Sequence, residues 1–157
     1  MFSFAEVLDM AIRLEKNGER YYRNAVEQLQ NPELCHVLLR LAEDEVEHRD
    51  WFMELKQAHF EATGPPDPLE IKGGELLQGI VGSQTFSLDE VDPRGFDTPE
   101  GILSAAVGFE KDTILFYEFL QSFVTDPETV ENLRIVIEEE NQHVKILEEQ
   151  LREYVAP

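Results

Sequence analysis

The chain has 157 residues, with 33 Asp and Glu against 13 Lys and Arg, a formal net charge of −20. That length predicts one domain, residues 1–157, with room for a sizeable core, and 42% hydrophobic residues is too many for a disordered acidic tail. The charge repels nucleic acid and anionic membrane surfaces, so neither is expected as a partner, and the single cysteine, Cys35, excludes an internal disulfide or a four-cysteine metal site. No apolar run approaches the roughly 20 residues of a membrane span. The start, Met1-Phe2-Ser3-Phe4-Ala5-Glu6, lacks the basic and apolar stretches of a signal peptide. A reducing, cytoplasmic setting is the expectation.

Ser3 with Glu6 three residues later has the capping-box pattern, and no proline follows until Pro32, so a first helix is predicted from about residue 3 to about 30. Asn31-Pro32-Glu33 supplies an N-cap, a first-turn proline and a first-turn acid for a second helix reaching about residue 61. Gly64-Pro65-Pro66-Asp67-Pro68 stops it. Residues 63–97 carry most of the prolines and the pair Gly73-Gly74, with a short helix expected near Glu75–Val81. A connection this long inside a compact domain is explained if it runs the length of a bundle. Thr98-Pro99-Glu100 opens a third helix, and Asp126-Pro127-Glu128 a fourth that continues almost to the C-terminus.

Sliding the chain against itself by 95 residues needs no gap. Ser3 falls on Thr98, Asn31-Pro32-Glu33 on Asp126-Pro127-Glu128, and Glu15-Lys16 on Glu110-Lys111. Tyr22 falls on Tyr117, Glu45 on Glu140 and His48 on His143; Leu8, Ala11, Leu38, Glu43 and Glu54 also meet identical residues. Two related helical hairpins, 3–62 and 98–155, are therefore predicted, joined by the crossover.

Heptad seams place the chemistry. They read Phe4, Leu8, Ala11, Glu15, Gly18, Tyr22, Ala25, Leu29 on the first helix, and Leu34, Leu38, Leu41, Glu45, His48, Phe52, Leu55 on the second. The third gives Leu103, Ala106, Glu110, Thr113, Tyr117, Leu120, Val124, and the fourth Leu133, Val136, Glu140, His143, Leu147, Gln150. Every seam carries a glutamate near its middle, and two add a histidine one turn later. Glu15 lies 16 residues before Asn31, and Glu45 and His48 lie 14 and 17 after it. In an antiparallel hairpin those side chains meet at one level, about 24 Å from the turn at about 1.5 Å per residue. The second hairpin repeats the counts from Asp126.

Four carboxylates converging in an apolar core, with no lysine or arginine on any seam, are very costly unless cations neutralise them. Two divalent ions match the charge, and two neutral imidazoles complete the donor set. An oxygen-rich set with one nitrogen per metal suits iron or manganese better than structural zinc. Two Glu helices with two Glu-x-x-His helices is the carboxylate-bridged dinuclear pattern of ferritin-like bundles.

At these residues the chain resembles the rubrerythrin family, specifically the erythrin-like diiron domain of the ferritin-like superfamily. The motifs are Glu15-x6-Tyr22, Glu45-x-x-His48, Glu110-x6-Tyr117 and Glu140-x-x-His143. The resemblance covers both hairpins and not the crossover. It implies an all-α four-helix bundle holding two iron ions, with Glu45 and Glu140 bridging, Glu15 and Glu110 terminal, and His48 and His143 the nitrogen ligands. Tyr22 and Tyr117 would be phenols beside the cluster, although ordinary core packing with a hydrogen-bonded hydroxyl serves the residues equally well. Two departures stand out. The four cysteines of a rubredoxin domain are absent from this sequence, and Val107 occupies the position where many rubrerythrins carry an additional glutamate.

The resemblance implies an oxidoreductase that reacts with hydrogen peroxide or dioxygen and is re-reduced by a separate electron donor; a homodimer is implied in the same way. Rival readings are a ferroxidase or iron-handling protein, a manganese catalase-like site, and a non-enzymatic, metal-stabilised interaction module. His36 and His59 have no counterpart under the repeat and are expected at the surface or rim, and Cys35 half-buried. Gly18 either leaves space for dioxygen or peroxide or permits close helix packing. In Glu43-Asp44-Glu45 and Glu138-Glu139-Glu140 the members other than the ligands are expected to be solvated.

Overall fold

The computed structural model describes residues 3–64 and 98–155. They form four helices: α1 (Phe4–Gln28), α2 (Pro32–Thr63), α3 (Pro99–Gln121) and α4 (Pro127–Val155). Each begins where a short polar side chain satisfies first-turn amides that have no partner within the helix. Ser3 Oγ accepts from the Glu6 amide while Glu6 Oε2 accepts from the Ser3 amide, a closed capping box. Asn31 Oδ1 accepts from the amides of Glu33 and Leu34, with Pro32 following it. Thr98 Oγ1 accepts from the Gly101 amide, and Asp126 Oδ2 from the amide and hydroxyl of Thr129. α2 ends on Gly64, whose φ of 80° lies in the region only glycine enters without strain; its N–H donates to the Phe60 carbonyl.

α1 packs along α2 and α3 along α4, and the hairpins meet through α1 against α3 and α2 against α4. Side-chain pairings fix the directions. Tyr22 meets Glu110 while Tyr117 meets Glu15, so α1 and α3 are antiparallel. His48 meets Glu139 while His143 meets Asp44, so α2 and α4 are antiparallel too. It follows that α2 and α3 run parallel, and that Gly64 and Thr98 lie at opposite ends of the bundle. The crossover between them, with the short helix expected near Glu75–Val81, falls outside the described residues. No helix among those described is long and apolar enough to cross a membrane.

The seams form the core. Leu8, Ala11 and Ala25 of α1, Leu34, Leu38 and Phe52 of α2, Leu103, Ala106 and Leu120 of α3, and Leu133 and Leu147 of α4 are all buried. Phe4, Leu55, Val124 and Gln150, at the seam ends, are only partly so. α1 and α3 bury a second stripe that a single seam does not predict: Val7, Met10, Leu14 and Tyr21 on α1, Ile102, Phe109 and Phe116 on α3. Tyr21 spans the gap between these helices, its hydroxyl donating to the Ile102 carbonyl at 2.7 Å.

Candidate metal centre

The four seam glutamates and two histidines come together inside this core. Glu15, Glu110 and Glu140 are fully buried, and Glu45, His48 and His143 nearly so. They make two overlapping groups. Glu15, Glu45, His48 and Glu140 each bring one ligand-type atom within 4.8 Å of the others, and so do Glu45, Glu110, Glu140 and His143. Glu45 and Glu140 are common to both groups. Glu15 goes with His48 in one, Glu110 with His143 in the other. All four helices contribute, and the 95-residue repeat relates the two halves.

Both imidazoles present Nδ1 to the carboxylates. His48 Nδ1 lies 3.0 Å from Glu140 Oε1 and 3.5 Å from Glu15 Oε1. His143 Nδ1 lies 3.1 Å from Glu45 Oε1, 3.1 Å from Glu140 Oε2 and 3.4 Å from Glu110 Oε1, none of them aligned for a hydrogen bond. One oxygen of each of Glu15, Glu45, Glu110 and Glu140 is also buried without a hydrogen-bond partner. Among the described residues no lysine or arginine is buried to answer this charge. Inward-facing carboxylate oxygens without hydrogen-bond partners, with the unpartnered His143 Nδ1 and the inward His48 Nδ1 on Glu140, are the donor set a pair of cations satisfies, so the residues fit a dinuclear metal centre.

The opposite ring nitrogen of each histidine is held from outside. His48 Nε2 contacts Glu139 Oε2 of α4 at 2.5 Å, and His143 Nε2 contacts Asp44 Oδ2 of α2 at 3.0 Å. An acid on Nε2 fixes the ring orientation and directs Nδ1 inward. This corrects the expectation that these two acids are merely solvated. Both remain about half exposed, yet each holds the histidine of the facing helix. Their neighbours Glu43 and Glu138 are exposed, as expected. The missed signal was the repeat itself, which places Asp44 on Glu139, one residue before each shared glutamate.

The tyrosines also cross between hairpins. Tyr22 donates to Glu110 Oε1 and Tyr117 to Glu15 Oε1, each phenol on the glutamate of the opposite helix. Burial raises both phenols well above the ordinary tyrosine range, and the adjacent charge, Glu110 for Tyr22 and Glu15 for Tyr117, raises them further. Both are therefore proton-bearing donors at neutral pH.

The carboxylates divide. Burial, then the charges of Glu140, Glu15 and Glu110, push Glu45 well above the carboxylate range. Burial and Glu140 push Glu110 up to about 8, against the pull of His143. Burial opposes ionisation of Glu15, but its contact with Glu45 and the charge of His48 hold it low. Burial likewise opposes charge on His48, yet Glu15 and Glu140 push its imidazole up to about 12. His143 is also pushed up, burial being outweighed by Asp44 and Glu110. Without metal the cluster thus retains protons that incoming cations must displace.

The nearby residues settle several alternatives. A Cβ on Gly18 would lie 2.8 Å from Glu45 Oε2 and 3.3 Å from Phe109 Cε1, so its missing side chain makes room for the Glu45 carboxylate. Glu19 stays outside the cluster, paired with Arg23 and Arg49. Val107 is partly buried against the apolar core. His36 is exposed, His59 sits at the rim with its ring against Phe4, and Cys35 is half-buried.

Comparison with known proteins agrees with this geometry. Residues 6–78 match the rubrerythrin family model. Over its whole length the chain is similar to a Thermotoga maritima protein provisionally named a ferritin-like diiron-carboxylate protein: 25% identity, TM-score 0.73, covering 98% of this chain and 97% of that one. It also shares the fold of a hypothetical protein of Pyrococcus furiosus: 21% identity, TM-score 0.76, covering 96% of this chain and 89% of that one. No curated protein matches it.

Proposed function

We propose that this chain, a ferritin-like four-helix bundle whose residues 6–78 match the rubrerythrin family, holds two iron ions and reacts through them with hydrogen peroxide or dioxygen. The observation that carries the reading is the pair of overlapping four-residue groups sharing Glu45 and Glu140, with carboxylate oxygens buried and unpartnered in both. Glu45 and Glu140 would bridge the ions; Glu15 with His48, and Glu110 with His143, would complete the two sides. Two adjacent irons supply one electron each, which matches the two-electron cleavage of an O–O bond.

The remaining groups position and protect this set. Tyr22 and Tyr117 hold Glu110 and Glu15 by one oxygen each and leave the other free for a metal. Asp44 and Glu139 hold the imidazoles with Nδ1 directed inward. The apolar layers of Leu38, Leu41, Phe52, Leu103 and Leu147 exclude bulk water, which strengthens every electrostatic contact inside. A separate electron donor would re-reduce the centre, and the acidic surface favours a basic one.

Metal analysis joined to a peroxide-turnover assay tests the proposal. Two irons per chain, retained while peroxide is consumed at the expense of an added reductant, support it. Release of ferric iron would instead identify a ferroxidase, and rapid oxygen evolution with manganese a catalase-like site. Bound metal with no redox turnover would leave a metal-stabilised interaction module.

A further inference from the structure

Along the α1 and α3 seams, from Leu8 to Tyr22 and from Leu103 to Tyr117, the residues on either side of the centre are identical except at one place. Leu8 pairs with Leu103, Ala11 with Ala106, Glu15 with Glu110, Tyr22 with Tyr117, Glu45 with Glu140 and His48 with His143, but Gly18 pairs with Thr113. At Gly18 the space is filled by Glu45, whose Oε2 stands 2.8 Å from where a Cβ would be. At Thr113 a side chain is present. It is 1% exposed, and its hydroxyl has no hydrogen-bond partner.

Position on α3 says where that hydroxyl lies. Glu110 and Tyr117, three residues before and four after, share its helix face, and both reach the carboxylate cluster. Thr113 therefore faces the same interior, about one turn along α3 from Glu110 and on the way to Tyr117. A helical threonine ordinarily satisfies its hydroxyl by bonding back to a carbonyl one turn earlier. Here that bond is not made, so the group carries its desolvation cost without return from the protein. A valine of the same shape would fill the position without that cost.

We propose that the Thr113 hydroxyl donates a hydrogen bond to a small anionic or peroxide-type ligand entering the dimetal centre, and so makes the α3 side the ligand-binding side. The Gly18 side is closed to such a ligand by Glu45. This rests on the dinuclear reading above, and the experiment separates the two.

The probe is azide, titrated spectroscopically into the iron-loaded protein, with iron content measured on the same samples. Thr113→Val should keep two irons per chain and weaken azide about tenfold, the range of a hydrogen bond to a charged group. Thr113→Ser should restore wild-type affinity, a rescue that a packing role does not produce. In the metal-free state Thr113→Val should melt no lower than wild type, because the hydroxyl it removes has no partner there. Unchanged azide affinity in a fully loaded Thr113→Val protein overturns the inference alone. So does a clear loss of metal-free stability in that variant, which would reveal a structural partner. Wild-type protein that fails to take up two irons overturns the dinuclear reading and this inference together.

Discussion

Gly18 illustrates how little room the centre has. Replacing a mid-helix glycine by alanine ordinarily favours a helix by about 1 kcal/mol. Here the new methyl would meet Glu45 Oε2 at 2.8 Å and the Phe109 ring at 3.3 Å. Gly18→Ala should therefore leave the metal-free helix content unchanged, while displacing a carboxylate shared by both metal groups. Iron affinity is expected to fall by about an order of magnitude or more, measured by metal titration beside circular dichroism. Asp44→Asn and Glu139→Gln act one step farther out. Each weakens the hold on an imidazole Nε2, and each should lower metal affinity by about 10- to 100-fold while leaving the fold intact. The seam ligands were legible because an acid among leucines at alternating three- and four-residue spacing has no solvated face to occupy. Asp44 and Glu139 were not, since each lies in an acidic run and half of its surface is indeed in water. The tyrosine crossing was hidden for a different reason. Seven residues along one helix is about 10 Å, too far for Tyr22 to reach Glu15, and only the antiparallel placement of α1 and α3 brings Glu110 beside it.

Protonation sets a second expectation at this scale. The Glu110 carboxyl rises from 4.5 to about 8 on folding without metal, so between those values the folded chain holds a proton the unfolded chain has lost. His48, raised from 6.5 to about 12, does the same over its own range. Each contribution is complete below the unfolded value and disappears as pH climbs through the folded one. The metal-free protein should accordingly melt lower at pH 9 than at pH 6. Metal binding displaces those protons, so iron or manganese should bind more tightly, and raise the melting temperature more, at the higher pH. Thermal scans with and without metal at both values check the sign of each effect.

At the scale of elements, the helix starts carry the sequence logic most directly. Ser3 with Glu6, Asn31 before Pro32, Thr98 before Pro99 and Asp126 before Pro127 all cap helices where the sequence predicts them, Asp126 by accepting from Thr129. Ser3→Ala and Asn31→Ala should each cost about 1 kcal/mol, read from urea unfolding of the metal-free protein. Neither side chain touches the cluster, so iron stoichiometry should not change. What the seams did not show is the second buried stripe of α1 and α3, through Leu14, Tyr21, Phe109 and Phe116. A seam describes one contact face. α1 and α3 also pack on each other, and the Tyr21 bond to the Ile102 carbonyl ties them beside that stripe.

The whole molecule divides its charge between two environments. Of the acids behind the net charge of −20, four lie at the centre of the bundle, while most of the other acids among the described residues face water. The inner four destabilise the fold unless protons or cations compensate them, so cations bound there would stabilise the bundle. The outer ones oppose anionic partners and favour cationic ones. Fold class and hairpin pairing trace to the 95-residue repeat, and the parallel course of α2 and α3 accords with the long connection the sequence places between residues 63 and 97. The central claim is that the six inward residues form one dinuclear centre, and anaerobic titration with ferrous iron tests it most directly. The account predicts two tightly bound ions per wild-type chain and the loss of at least one in both His48→Ala and His143→Ala. Fewer than two ions in the wild type, or two retained in either histidine variant, would contradict it.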